Sequence, residues 1–287
     1  MDRFCIIANT QKDIRLETTY QIENYLKHRG KTCYIQKAEG KIEGKPYHYT
    51  DPDRIPDDVE CIIVLGGDGT LLQAARDVVH KQIPLFGINM GTLGYLAEVD
   101  RASVYPALDH LIEDNYELEE RMMLHGSVYH REKMVDSDIA LNDIVISRSG
   151  PLRVLRFINY VNREYLNVYS ADGIIIATPT GSTGYSLSVG GPIVSPSAQL
   201  SIMTPLAAHT LNARSIIFPA EDEITVEIGQ GRRKLEENAV ASFDGDTTIP
   251  MVTGDRIVIR KAEVSTRIVK LSNLSFVEVL RQKMSNS

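Results

Sequence analysis

The stretch "IIVLGGDGTLLQAA", residues 62–75, decides how this chain folds. An apolar run of strand length stops in three glycines set around one carboxylate, Asp68, and continues at once in a helical pattern. That is the sequence form of a strand, a tight turn and a helix. The same alternation extends outward on both sides. "RFCIIAN" (3–9) reads as a buried strand, and residues 13–28 place Ile14, Thr18, Ile22 and Leu26 at helical spacing ahead of Gly30 as a C′ glycine. "KTCYIQ" (31–36) reads as a second strand. A polar, Pro- and Asp-rich stretch (38–59) separates it from the strand "CIIVL" (61–65). Beyond the glycine turn the pattern predicts a helix over Thr70–His80, the strand "IPLFGIN" (83–89) and a helix over Ser103–Glu113. Strands alternating with helices imply right-handed crossovers and an α/β domain with a mostly parallel sheet.

The texture changes near residue 115. From Tyr116 to Arg267 the chain is dominated by alternating runs such as "HGSVYHRE", "IALNDIVISR", "FINYVNREYLNVY", "EITVEIG" and "DRIVIRKA", with few helical segments. Such runs predict an antiparallel, all-β domain. "NLSFVEVLRQKM" (273–284) then returns to helical spacing. The expected division is an α/β domain over 1–115, a β-rich domain over 116–267, and a terminal helix within 268–287. A chain of 287 residues suits two domains better than one.

Composition narrows the function. Hydrophobic residues make up 43% and charged residues 24%, with a net charge of −7, so the chain shows no basic footprint for nucleic acid. No segment approaches the length of a membrane span, and the first residues lack a signal-peptide pattern, so the expected setting is cytoplasmic and away from membranes. Cys5, Cys33 and Cys61 each sit in an apolar run with no C-x-x-C spacing, which predicts buried core thiols rather than a disulfide framework or a zinc site.

The glycines have a physical reading. At the carboxyl end of a parallel strand they let several backbone N–H groups converge, and the following helix adds the positive end of its dipole, so the turn favours phosphate oxygens. Asp68 is not explained in that way, because phosphates repel a carboxylate. It belongs there if it meets a metal or a hydroxyl that must lose a proton, as a phosphoryl acceptor does. The other reading is a plain strand-to-helix turn with Asp68 as a cap. No lysine follows at Walker A spacing, and the pattern is not G-x-G-x-x-G. A second glycine stretch, "GINMGTLGYL" (87–96), also follows a strand and offers Gly87, Asn89, Gly91 and Gly94 beside the first turn if the strands are neighbours. In the β-rich domain, "SADGIIIATPTGSTGYSLSVGGPIV" (170–194) sets Asp172, Thr178, Thr180, Ser182, Thr183, Tyr185, Ser186 and Ser188 among glycines. Many small hydroxyls with one tyrosine suit a ligand carrying sugar, amide and phosphate groups.

"GGDGT", "GINMGTLGYL", "ALNDIVI", "DGIIIATPTGSTGYSLSVGGPIV" and "SFDGD" before "GDRIVI", in that order, resemble the NAD kinase family over roughly Arg3 to Met284. "GGDGT" alone is shared with lipid kinases, whereas "TPTGSTGYSLS" is specific. The resemblance implies a kinase that transfers the γ-phosphoryl of ATP, or of inorganic polyphosphate in some members, to the 2′-hydroxyl of the adenosine ribose of NAD. It also implies an N-terminal α/β domain, a sandwich-like C-terminal domain, a last helix returning to the first domain, and a homodimer or homotetramer. By the same resemblance Asp68 contacts the ribose hydroxyls and is the candidate base, with Gly67, Gly69 and Thr70 near the donor; Asn89 is a candidate binding residue from its place in the neighbouring glycine turn. Asn142 and Asp143 match the pair that reads adenosine. Asp172, Thr183, Gly184, Tyr185 and Ser188 match residues of the nicotinamide and adenine pockets, and Asp244 matches an acidic position near the substrate.

Three positions depart from the family. Asp143 stands where glutamate is usual, Gly184 where alanine is common, and "MTPLAAHTLNARSIIFP" (203–219) is a drifted segment whose His209 reads as structural. No metal-ligand cluster is visible, so Mg²⁺ is expected to travel with the nucleotide. Two alternatives share part of the pattern. A lipid or sphingoid kinase would need an apolar acceptor pocket where residues 178–188 are hydroxyl-rich, and a non-catalytic NAD sensor could lose Asp68, which this chain keeps.

Overall fold

The computed structural model describes residues 1–37, 50–91, 94–97, 99–150, 154–209, 213–231, 236–271 and 275–285. Residues 38–49 of the polar stretch, 92 and 93 of the second glycine turn, 210–212 of the drifted segment and 273–274 before the last helix lie outside them. The chain divides into two units, Met1–Arg121 with Ser265–Ser287, and Met122–Val264.

The first unit is built on β1 (Arg3–Ala8), α1 (Glu17–His28), β2 (Thr32–Lys37), β3 (Cys61–Gly66), α2 (Asp68–Val78), β4 (Leu85–Asn89), β5 (Val99–Asp100) and α3 (Val104–Ile112). β1 pairs in parallel with β2 and β3, and β4 in parallel with β3 and β5. The apolar runs are buried on both faces, as a sheet covered by crossover helices requires. Phe4, Ile6, Ile63, Leu65, Phe86 and Ile88 on one face pack with Ile22, Leu26, Leu108 and Leu111 from α1 and α3. All three cysteines are buried and free, and burial drives the thiols of Cys5 and Cys33 up to about 12, which keeps them protonated and inert. No helix among the described residues is long and apolar enough to cross a membrane.

β6 (Glu117–His130) leads into the second unit, followed by β7 (Lys133–Ala140), β8 (Asp143–Arg148), β9 (Leu155–Val161), β10 (Glu164–Ala171), β11 (Gly173–Ala177), the single-turn α4 (Tyr185–Ser188), β12 (Leu200–Leu206), β13 (Ile216–Pro219), β14 (Ile224–Gly229), β15 (Asn238–Phe243), β16 (Thr247–Val252) and β17 (Arg256–Lys270). One sheet runs β13-β12-β11-β8-β15-β16 and is antiparallel throughout. Its inward Ile144, Ile146, Ile174, Ile176 and Phe243 share a core with Phe157, Val226, Ile228 and Ile257 from β9, β14 and β17. Two facing sheets around one apolar layer make the expected sandwich. The run "FINYVNREYLNVY" turns back on itself between β9 and β10, where Asn162 and Arg163 both take positive φ (51° and 70°), the signature of a type I′ hairpin.

β17 ends in the first unit, where Ile268 pairs with Leu85 of β4. α5 (Phe276–Ser285) follows, and the Lys283 ammonium stands 5.3 Å from the centre of the Tyr95 ring.

Candidate active site

In the first unit the functional side chains gather at the carboxyl ends of parallel strands. Gly66 at the end of β3 lies opposite Asn89 at the end of β4, and the Met90 N–H donates to the Gly66 carbonyl at 2.7 Å. The two glycine turns are therefore neighbours. α2 begins at Asp68, two residues earlier than the spacing predicts, because Gly67 in extended conformation serves as N-cap and its carbonyl accepts from Thr70 and Leu71 (2.9 and 3.1 Å). No side chain caps this helix. Its first N–H groups remain available to an anion, where the dipole favours one.

Asp68 thus does not cap its own helix. Its carboxylate crosses to the second turn and accepts from three consecutive backbone N–H groups, Tyr95 at 2.7 Å, Leu96 at 3.2 Å and Ala97 at 3.3 Å. Position 94 must be glycine for this approach, since a Cβ there would overlap the Asp68 carboxylate. Asn89 is buried and its side-chain oxygen accepts from the Gly91 N–H at 2.8 Å, which shapes the same turn. Thr70 is tied to β1, its hydroxyl accepting from the Asn9 side-chain amide at 3.1 Å.

The second unit repeats the device. Asp244 sits in the β15–β16 turn at φ 51°, and its carboxylate accepts from the N–H groups of Leu141 (2.8 Å), Asn142 (2.8 Å) and Asp143 (3.0 Å). In turn the Asp244 N–H donates to the Asp143 carbonyl at 3.0 Å. Asp244 thereby fixes the Asn142–Asp143 pair. Asp143 is 5% exposed, and burial first, then the negative charge of Asp244, push its carboxyl up to about 7. The Asn142 carbonyl accepts from the Thr178 N–H at 2.8 Å, and the Thr178 hydroxyl donates to the Leu141 carbonyl at 2.6 Å. Gly184 joins this cluster: a Cβ on it would stand 3.4 Å from the Asn142 side-chain nitrogen and 3.8 Å from an Asp143 oxygen. An alanine there would be tight, because its Cβ would also stand 3.3 Å from the Gly181 carbonyl oxygen.

The hydroxyl-rich loop is not uniformly open. Thr178, Ser182 and Ser186 are buried and bonded within the fold, Ser182 to the Pro179 carbonyl at 2.7 Å and Ser186 to the Thr204 hydroxyl at 3.3 Å. Buried hydroxyls need such partners. Thr183 donates to the Thr180 carbonyl at 3.2 Å, whereas Tyr185 and Ser188 face solvent. Asp172 lies apart from this cluster. β11 pairs with β8 so that Ala177 faces Asp143 and Gly173 faces Ser147, which puts Asp172 at the far end of the strand, where the Arg148 guanidinium holds its carboxylate at 3.0 Å. His209 is exposed and its backbone N–H donates to the Ser170 carbonyl at 2.8 Å. Three residues at these places carry no motif of their own: Asn9, Lys12, whose ammonium lies 2.6 Å from the point a Cβ on Gly67 would occupy, and Arg148. The signal for the first two was their position just past a strand that pairs with β3, where open α/β sheets bind ligands.

Residues 4–116 match the family of the ATP-NAD kinase N-terminal domain, and residues 141–271 that of the ATP-NAD kinase C-terminal domain. An NAD kinase of Lachnospira eligens is 47% identical, covering 99% of this chain and 100% of its own. One of Agathobacter rectalis is also 47% identical, covering 100% and 99%. The fold is that of the crystal structure of yeast NADH kinase complexed with NADH (TM-score 0.80, 24% identity, 98% of this chain and 86% of that one). It is also that of an NAD kinase from Archaeoglobus fulgidus in complex with ATP (TM-score 0.74, 24% identity, 99% of each chain).

Proposed function

The chain belongs to the NAD kinase family, and we propose on that premise how its residues divide the work of ATP-dependent phosphorylation of NAD to NADP. The first unit's glycine turn takes the phosphoryl donor, and the Asn142–Asp143–Gly184 cluster of the second reads the adenosine of the acceptor. The observation that carries this reading is Asp68. A capping aspartate would satisfy the helix start itself, whereas here no side chain caps the helix and loop amides hold the carboxylate beside it.

Phosphoryl transfer through a loose transition state asks the protein for position and charge complementarity more than for covalent chemistry. An ionised carboxylate has about four lone-pair sites. Three of those on Asp68 are taken by N–H groups, which leaves one to accept the proton of the ribose 2′-hydroxyl as the γ-phosphoryl arrives. The first-turn amides of α2, with Gly67, Gly69 and Thr70, face the donor phosphates. Asn89 keeps the second turn in place. Asn142 supplies an amide to the adenine edge, Asp143 a carboxyl to the ribose, and Tyr185 an exposed ring to pack on a base. Thr183, Ser188 and Asp172 offer further polar contacts to the dinucleotide, and Asp244 acts on it through the loop it holds.

Among the described residues no group of three or more His, Cys, Asp or Glu side chains converges, and Asp68 already serves the loop. On this reading Mg²⁺ travels with the triphosphate, whose charge it offsets. The reading keeps inorganic polyphosphate as a second donor, a homodimer or homotetramer as the assembly, and a cytoplasmic setting. Incubating the protein with NAD, Mg²⁺ and either donor, and coupling the product to an NADP-specific dehydrogenase, tests the activity; light scattering on a sizing column tests the assembly. No NADP from either donor overturns the reading.

A further inference from the structure

The donor turn lacks a lysine in its own sequence, yet one stands over it. Lys12 lies in the turn that follows β1, where its N–H donates to the Asn9 carbonyl at 3.0 Å and the Asp13 N–H to the same carbonyl at 2.8 Å. Asn9 anchors this turn to α2 through Thr70. The Lys12 ammonium lies 2.6 Å from the point that a Cβ on Gly67 would occupy, so the missing side chain of Gly67 is what admits it. Over Gly69 a Cβ would meet nothing within 4 Å. The neighbouring Asp13 is no partner for the lysine, because it is buried with its oxygens bonded to Thr18 and Thr19. Lys12 has no ion pair or side-chain hydrogen bond among the described residues.

A cation beside the positive end of a helix, with no anion between them, repels the dipole that it faces. A phosphate held at that turn is attracted by the ammonium and by the dipole alike. We propose that Lys12 is a donor-binding residue: its ammonium clamps the polyphosphate chain of the phosphoryl donor against the Gly67–Gly69 turn, doing from the β1–α1 loop what a P-loop lysine does from its own turn. The proposal rests on the donor-turn reading above.

The first test leaves the chain unaltered. Limited acetylation with acetic anhydride, followed by peptide mass spectrometry, reads the reactivity of Lys12 with and without inorganic tripolyphosphate. Tripolyphosphate should slow acetylation at Lys12 and leave the exposed Lys133 unchanged; equal rates at Lys12 overturn the proposal. In Lys12→Met, the KM for ATP should rise about 10- to 100-fold, the scale of a lost charge-assisted hydrogen bond, with the KM for NAD moving less than about twofold. Lys12→Arg should recover part of the loss. An unchanged KM for ATP in an active Lys12→Met enzyme, or a rise in both KM values together with a lower Tm, also overturns it. If the unaltered protein makes no NADP, the functional reading fails, while the acetylation result still decides whether Lys12 meets a polyphosphate.

Discussion

Asp68→Asn separates two duties that the structure gives to one side chain. The substitution removes the charge, keeps one oxygen and replaces the other with a donor. The least costly arrangement keeps the oxygen toward Leu96 and Ala97 and turns the new NH₂ toward Tyr95, whose N–H loses its 2.7 Å acceptor. One unmade, partly buried hydrogen bond costs about 1–3 kcal/mol, and in a unit of this size each kcal/mol lowers Tm by about 2–4 °C. Loss of the proton acceptor acts separately, lowering kcat by about 10²–10⁴. A dehydrogenase-coupled assay over both substrate concentrations, with a thermal melt on the same preparations, resolves the two. The expected outcome is a small fall in Tm, KM values near those of the unaltered enzyme, and a kcat lower by at least about a hundredfold. A kcat within about tenfold of the unaltered value refutes the base assignment. Asp68 would then be an anchor for the 95–97 loop.

Asn142→Ala removes the side-chain amide but not the carbonyl that binds Thr178, so the KM for NAD should rise by about 5- to 150-fold, the equivalent of 1–3 kcal/mol, with little change in the KM for ATP. Equal damage to both KM values in the steady-state assay would withdraw the adenosine-reading role. Asp143 keeps its proton in the folded chain up to about 7, while the unfolded chain loses it near the ordinary 3.8. Its contribution to stability is thus greatest at low pH and is lost as pH rises through that window, so melts at pH 5, 6, 7 and 8 should show a downward trend that Asp143→Asn reduces. An identical trend in the variant would remove Asp143 as its source.

The elements that the sequence displayed plainly are those whose information is local. Alternation of apolar runs with helical spacing was enough for the parallel strands β1 to β4, and the glycine turns marked the ends of β3 and β4, whereas the two-residue β5 left no readable run. What stayed hidden depends on contacts between distant residues. Nothing near Lys12 announces that Gly67 leaves room for its ammonium, and no local pattern ties Asp68 to the amides of residues 95–97. The resemblance puts Asp244 near the substrate, and only the fold adds that its oxygens are bound to three loop amides. Hydroxyl content misled in the same way: composition counts Thr178, Ser182 and Ser186 as ligand groups, and only burial shows that they hold the loop together. "FINYVNREYLNVY" looks continuous because the hairpin at Asn162–Arg163 contains no glycine.

The division of the first unit into Met1–Arg121 and Ser265–Ser287 bears on how the chain is made. A ribosome releases the glycine turns and Asp68 early, then the whole of Met122–Val264, and only afterwards Ile268, the partner of Leu85, and Lys283, which covers Tyr95. Through that interval the nascent first unit waits with the Leu85 edge of its sheet open, a surface on which strands of other chains can add. The contiguous second unit has no such wait, and so it gains the chance to fold first although it is made later. Limited proteolysis of ribosome-stalled chains would show the order: in a chain halted after Val264, protection should appear in Met122–Val264 while the earlier residues remain cleavable, and equal protection of both would mean that the last segment is not needed to close the first unit.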